Sequence, residues 1–340
     1  MSAEADVIDC DVHCAPPSFD AISPYLDDHW RRYIGEAAIR ITGLASAYPP
    51  GASASVPDSY DALRERLLDS THPRHVVLNC LTGFETHRDP YYARAIAAAL
   101  NDWVRDEFLE RDDRLRASVV VSTVDPDDAV SEIERTGGDP RFVQVLLPVR
   151  SSVPWGNKVN HRIFEAAVRH DLRVALHAWG RAGNASTPSG FTSTYLEDYV
   201  GNQPIAQAQI LSLVCEGVFD RFPGLRVLLT ECGFAWLPPL LWRFDKDWRG
   251  VWREVPWVSE KPSAYVHRHF RATTAPAHLP SDATAVAELA DMLDAGTFLL
   301  FASDHPHAHG EGLDTLLGVL DERGREAVLR ENALAFYELN

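Results

Sequence analysis

No stretch of this 340-residue chain approaches the roughly 20 consecutive apolar residues that a membrane-crossing helix requires. Its start, MSAEAD, lacks the basic segment and apolar run of a secretory leader, so no export signal is expected. Positive charge is scarce: 32 Lys and Arg stand against 49 Asp and Glu, a net −17 at pH 7. That balance argues against nucleic acid or an anionic membrane as partner, since both are held through surplus cations. A small-molecule substrate stays open, because one local arginine can hold a carboxylate inside an acidic protein. Cysteine is sparse and odd in number, five residues at 10, 14, 80, 215 and 232. A chain this long needs no covalent staples, so plain thiols in a reducing cytoplasm are expected. Cys10-x-x-x-Cys14 has no second pair and does not read as a zinc knuckle. There is no internal repeat and no low-complexity tract.

What is present is a 46% apolar content, enough for a full core, arranged in short β-branched runs separated by amphipathic stretches. Strands are expected at 7–13, 75–80, 116–122, 142–148, 173–180, 226–233, 270–276 and 297–304. Helices are expected at 58–70, 89–111, 126–136, 160–170, 204–222, 235–248 and 282–295, with a final pair at 313–323 and 325–338. Asp58 and Asp89-Pro90 read as helix starts, and the run Asp220 to Gly224 reads as the stop of the longest helix. Eight strands alternating with helices predict a slightly distorted (β/α)8 TIM barrel, one continuous unit over 1–340 with inserted rim loops and C-terminal helices. Residues 45–57 and 182–194, rich in small residues, proline and glycine, are expected to be mobile rim loops or inert surface loops.

Catalytic groups in such a barrel gather at the carboxyl ends of the strands. Strict alternation along "VIDCDVH" puts Asp9, Asp11 and His13 on one face, with Ile8, Cys10 and Val12 on the other. The first strand therefore offers Asp11 and His13, the fifth His177, the sixth Glu231 and the eighth Asp304. Asp11, His13, His177 and Asp304 form a mixed oxygen and nitrogen set suited to one divalent ion, zinc favoured and manganese acceptable. Trp155, Trp179 and Trp236 follow strands at the mouth and are read as an aromatic wall or as packing under rim loops. Arg150 and Arg181 are candidate carboxylate partners or solvated rim charges. His307 stands near Asp304 as a brace or a turn residue. His267, His269 and Arg271 enter the seventh strand at the end away from the site and are read as structural.

These motifs carry a family likeness. D-x-D-x-H on the first strand, His177 on the fifth, E-x-G-x-x-W-L-P from Glu231 and S-D-x-P-H from Ser303 resemble the amidohydrolase superfamily. The likeness runs nearly end to end, through 217–245 and the closing ENALAFYEL, and is narrower toward the branch containing aminocarboxymuconate-semialdehyde decarboxylase and γ-resorcylate decarboxylase. The resemblance implies that Asp11, His13 and His177 ligate one metal, that Asp304 is both ligand and proton-transfer group, and that the enzyme is a homodimer. No lysine ends the fourth strand, so the carbamylated bridge of two-metal relatives is not expected. Glu231 departs from the histidine that relatives carry; metal ligand, acid/base and orienting group are all open roles for it. The implied reaction is non-oxidative decarboxylation of a small aromatic or unsaturated acid. Hydrolysis of an amide, lactone or other cyclic bond is the alternative, and an inert metal-binding barrel the third.

Overall fold

The computed structural model describes residues 6–36, 56–83, 87–180, 184–309 and 312–339. Eight strands lie parallel in sequential order: β1 (Ile8–Cys14), β2 (His75–Cys80), β3 (Leu115–Val120), β4 (Phe142–Arg150), β5 (Arg173–Gly180), β6 (Val227–Thr230), β7 (Phe270–Thr273) and β8 (Leu299–Leu300). The sheet closes on itself, since Cys10 N donates to Phe301 O and Asp304 N to Asp11 O, each at 3.0 Å. Helices cover the outside between strands, giving the expected (β/α)8 barrel. No helix among the described residues is long and apolar enough to cross a membrane.

Local chemistry explains most boundaries. Asp89 accepts hydrogen bonds from Tyr91 N and Tyr92 N and starts the helix Pro90–Val104 as expected. The cap expected at Asp58 is instead Ser59, which accepts from Ala62 N. The helix expected over 204–222 is two pieces, Asn202–Cys215 and Val218–Arg221. Gly217 divides them at φ 70°, and a Cβ there would lie 2.4 Å from Trp257 Cδ1, so only glycine fits.

Of the expected rim loops, 45–55 and 182–183 lie outside the described residues. In the described part of the second, Thr187 and Gly190 exchange backbone hydrogen bonds while the Ser186 and Thr192 hydroxyls meet at 3.0 Å.

Two cores result. The larger fills the space between sheet and helices. The smaller fills the lower lumen, where Ile8, Cys10, Val77, Val143, Leu228 and Leu300 pack against Ala333, Phe336 and Tyr337 of the C-terminal helix Asn332–Tyr337. This corrects the reading of the first strand. The β1–β2 register slips between Asp9 and Val12, so Ile8 and Cys10 join the lumen while Val12 and Cys14 join the outer core. Asp9 does not share a face with Asp11 and His13. A bulge inserts one residue and reverses the alternation beyond it. Asp9 is buried elsewhere, its Oδ1 accepting from Ser303 N at 2.9 Å and Asp11 N at 3.3 Å. Burial pushes its carboxyl up to about 7.

Candidate metal centre

Above the apolar plug the same strands present polar groups. β1 delivers Asp11 and His13, β5 delivers His177, Glu231 directly follows β6, and Asp304 lies four residues past β8. Glu231 and Asp304 both adopt left-handed backbone, each with φ 56°. Such a conformation costs a non-glycine residue about 1–3 kcal/mol and is held only where neighbours fix it. Here Glu231 N donates to Thr273 Oγ1 at 3.1 Å and Asp304 N to Asp11 O at 3.0 Å. The Glu231 turn ends β6 sooner than the sequence suggests, whereas β8 already stops at Leu300, four residues before Asp304.

The five side chains converge. His13 Nε2 lies 2.9 Å from Glu231 Oε1, 3.1 Å from Asp304 Oδ1 and 3.5 Å from Asp11 Oδ1. His177 Nε2 lies 3.4 Å from Glu231 Oε1 and 3.6 Å from Asp11 Oδ1. Ligand atoms of Asp11, His13, His177 and Glu231 all fall within 4.8 Å of one another, as do those of His13, Glu231, Asp304 and His307. Glu231, whose role the sequence left open, belongs to both groups.

Three buried carboxylates govern the electrostatics. Burial opposes the charge on Asp11, but His177 and His13 outweigh it and hold the carboxyl down at about 2. Burial and the Asp304 charge together raise Glu231 to about 7. Burial also opposes charge on Asp304, yet hydrogen bonds from His13, His307 and His309 keep it well below the usual carboxylate range. Burial disfavours imidazolium at His13, which its Asp11, Asp304 and Glu231 contacts nevertheless carry well above the ordinary histidine value. His177 is raised against its burial by Glu231 and Asp11.

The carboxylates thus draw positive charge onto two imidazoles. A divalent ion would supply that charge and leave the imidazoles as neutral ligands. The donors fit one: neither ring nitrogen of His177 nor Asp11 Oδ2 makes a hydrogen bond within the described residues although all are buried, and buried polar atoms ordinarily have partners.

A pocket of about 420 Å³ opens over the centre. His13, His177, Glu231 and His307 form its floor, and Pro16, Pro17, Leu81, Trp179, Tyr199, Val200 and Pro276 supply apolar walls. His307 Nδ1 meets Asp304 Oδ1 at 2.8 Å, the bracing contact considered from sequence.

Several expectations need correcting. Trp155 is buried, its Nε1 donating to Pro148 O at 2.7 Å, and does not line the pocket. Trp236 likewise turns its Nε1 to Cys232 O at 2.9 Å and packs on the outer core. Both indoles found a backbone acceptor beneath the rim, which leaves Trp179 as the tryptophan of the wall. Arg150 is neither a solvated charge nor a pocket group. It forks onto Asp198 at 2.8 and 3.0 Å and donates to Asn202 Oδ1, tying the rim helix Tyr195–Val200 to β4. Arg181 lies outside the described residues. His269 is buried against Phe219, with Nδ1 2.9 Å from Leu225 O, in keeping with a structural role.

Sequence reasoning missed His309, whose Nε2 contacts Asp304 Oδ2, and His278, a pocket residue at φ 48° whose Nδ1 lies 3.4 Å from Gln203 Nε2. The first had a visible signal, the alternation of His305, His307 and His309 behind Asp304. It also missed Asn79, which donates to Asp11 Oδ1 at 2.7 Å.

Comparison with known proteins bears on this geometry. The Amidohydrolase family model matches residues 8–339. The chain belongs to the amidohydrolase family. Within that family it is 30% identical over 224 residues to γ-resorcylate decarboxylase of Rhodococcus jostii (strain RHA1), covering 59% of this chain and 67% of that one. Among solved structures, the dihydroxybenzoic acid decarboxylase of Polaromonas sp. JS666, with bound manganese and the inhibitor 2-nitroresorcinol, superposes with a TM-score of 0.71 at 19% identity. The match covers 99% of this chain and 98% of that one. The 5-carboxyvanillate decarboxylase of Sphingomonas paucimobilis gives 0.72 at 18% identity, covering 99% and 100%.

Proposed function

We propose that this amidohydrolase-family enzyme is a metal-dependent, non-oxidative decarboxylase of a small aromatic or unsaturated carboxylic acid. One observation carries the reading: five ionisable groups from four strands, four buried and Glu231 nearly so, meet one another, and three of them, His13, His177 and Glu231, line a largely apolar pocket. The decarboxylase names of its relatives support the same reaction. Asp11, His13, His177, Glu231 and Asp304 are the residues that would hold the ion. Three carboxylates among five donors weigh toward manganese over the zinc favoured from sequence. When bound, the ion supplies Lewis-acid stabilisation of negative charge on the substrate's carboxylate and any adjoining oxygen.

The protein's own groups do the rest. Trp179, Leu81 and the proline walls hold a flat ring and exclude water. Asp304, fully buried and braced by the pocket residue His307 and by His309, is the proton-transfer group. Because its own carboxyl is strongly acidic, the proton it passes comes from the imidazole side of those contacts, and His309 is the more exposed of the two. The carbon–carbon bond to the carboxylate breaks, its electron pair stays on the ring carbon and captures that proton, and carbon dioxide leaves. One proton is consumed per turnover. Glu231 is a second candidate for the proton; the pH–rate profile of Glu231→Gln separates the two, since loss of a limb that the wild type shows assigns the proton to Glu231.

The test is to supply the manganese-loaded enzyme with hydroxylated benzoic acids in D2O. Carbon dioxide release with one deuterium at the vacated ring carbon is expected. Absence of gas across that class, together with turnover of lactones or amides, would replace the lyase with the hydrolase. Metal uptake with no turnover of either class would leave the inert barrel.

A further inference from the structure

Below the metal centre four hydrogen bonds run in series through the lumen, with one longer branch from Gln144 Nε2 straight to Asn79 Oδ1 at 3.4 Å. Tyr337 Oη donates to Gln144 Oε1 at 2.8 Å, and Gln144 Nε2 to Ser118 Oγ at 2.8 Å. Ser118 Oγ in turn donates to Asn79 Oδ1, and Asn79 Nδ2 to Asp11 Oδ1 at 2.7 Å. Every member is buried, four of them at 0–1% exposure and Tyr337 at 6%. The chain therefore begins on the helix that plugs the floor of the barrel and ends on a carboxylate at its mouth.

The donors all point one way. Because Gln144 accepts from Tyr337 with its oxygen, its nitrogen must face Ser118. Ser118, receiving that hydrogen, gives its own to the oxygen of Asn79. The amide of Asn79 is thereby fixed with its nitrogen toward Asp11. Remove the Tyr337 hydroxyl and Gln144 has no reason to keep its sense, and each later member loses a constraint. A buried polar series of this kind either satisfies all its members or fails together.

We propose that this series positions the Asp11 carboxylate for the cation, so that the C-terminal helix sets the metal affinity of a centre at the other end of the barrel. Tyr337, Gln144, Ser118 and Asn79 are positioning residues; none reaches the substrate pocket. Partners one step behind a metal ligand typically govern affinity by 10–100-fold, and the effect should diminish along the series. The inference rests on the metal-centre reading above.

The experiment strips the whole enzyme with a chelator and titrates Mn²⁺ against a fluorescent chelator. Ser118→Ala should weaken Mn²⁺ binding about tenfold and Tyr337→Phe about threefold. The double variant should lose less than the sum of the two single losses, because Ser118→Ala leaves only the longer bond from Gln144 Nε2 to Asn79 Oδ1; independent packing defects would add. Ser118→Thr, which keeps the hydroxyl, should hold Mn²⁺ as the wild type does, and it decides the matter should Tyr337→Phe fail to fold. Single variants within about twofold of wild type, additive losses, or equal losses in Ser118→Ala and Ser118→Thr would overturn the proposal. Failure of the wild type to take up Mn²⁺ or Zn²⁺ would overturn the metal centre itself, a distinguishable result.

Discussion

At the lower end of the lumen, Ile8, Val77, Leu228 and Leu300 close on Phe336 and Tyr337 in an apolar plug. Two or three residues further along the same strands stand Asp11, Asn79 and Thr230, with Glu231 just beyond. The first region stabilises the fold, each fully buried aliphatic side chain contributing about 1.5–3 kcal/mol. The second costs stability, since three carboxylates and two imidazoles are held out of water with orphaned atoms among them. A molecule carries such a cost where a ligand offsets it. The bulge in β1 is the device that lets one strand serve both regions, delivering Cys10 to the plug and Asp11 to the centre.

The sharpest way to break this contrast is at the centre. His177→Ala should fold yet lose its metal, with bound manganese by elemental analysis falling to background and activity falling at least about 1,000-fold. Full metal content in that variant would dissolve the ligand assignment. Asp304→Asn comes next. It keeps an oxygen toward the centre, so most metal should remain while turnover drops roughly 10²–10⁴-fold, the usual worth of a positioned proton donor. Near-wild-type turnover would remove Asp304 from the reaction. The plug should respond in the opposite manner. Leu228→Ala, at a fully buried position, should cost about 2–5 kcal/mol in denaturant unfolding and leave the manganese dissociation constant within about twofold. An equal effect on both measurements would show that the two regions are not separable.

Which parts were legible in the sequence follows from the same contrast. β2 is His75–Cys80, as the run HVVLNC suggests, and all eight strands lie where β-branched runs lie. The centre was legible residue by residue because strand ends in a barrel share one mouth. Period-two reasoning failed at Asp9, since a bulge leaves no mark in composition. It overran β6 because Glu231 turns left-handed on a non-glycine residue, which propensity does not foresee. The three tryptophans could not be sorted, because a buried indole follows the backbone carbonyl that happens to lie within reach. Asn79, Ser118 and Gln144 carried a signal that went unread: single polar residues inside otherwise apolar strands, at positions that turn out to face one another across the lumen.

The smallest effect, and the one that ties the contrast to proton chemistry, is the pH dependence of stability. Glu231 and Asp9 have carboxyls raised to about 7 from ordinary values of 4.5 and 3.8. A raised carboxyl binds its proton more tightly in the folded chain, so the folded state loses ground as pH climbs from the ordinary value through 7. His13 and His177 are raised as well, and their stabilisation, full below the ordinary 6.5, is lost as pH passes their folded values. All four act in one direction. Asp11 and Asp304 are lowered and act at the acid end, losing their contribution as pH falls below the ordinary 3.8. The metal-free protein should therefore be most stable in mildly acidic solution and weaken toward alkaline pH. The share from Glu231 falls between its ordinary 4.5 and about 7, so only the last part of it lies above pH 6. Saturating Mn²⁺ should remove most of the alkaline loss, because the ion meets the charge that protons meet at lower pH. Thermal unfolding at about pH 6 and about pH 9, with EDTA and with Mn²⁺, measures this. A metal-free Tm that stays level, or one that falls equally with Mn²⁺ present, would mean that the buried carboxylates are not what the metal relieves. Leu228→Ala, by contrast, should lower Tm by the same amount at both pH values, since nothing in the plug that it touches changes charge.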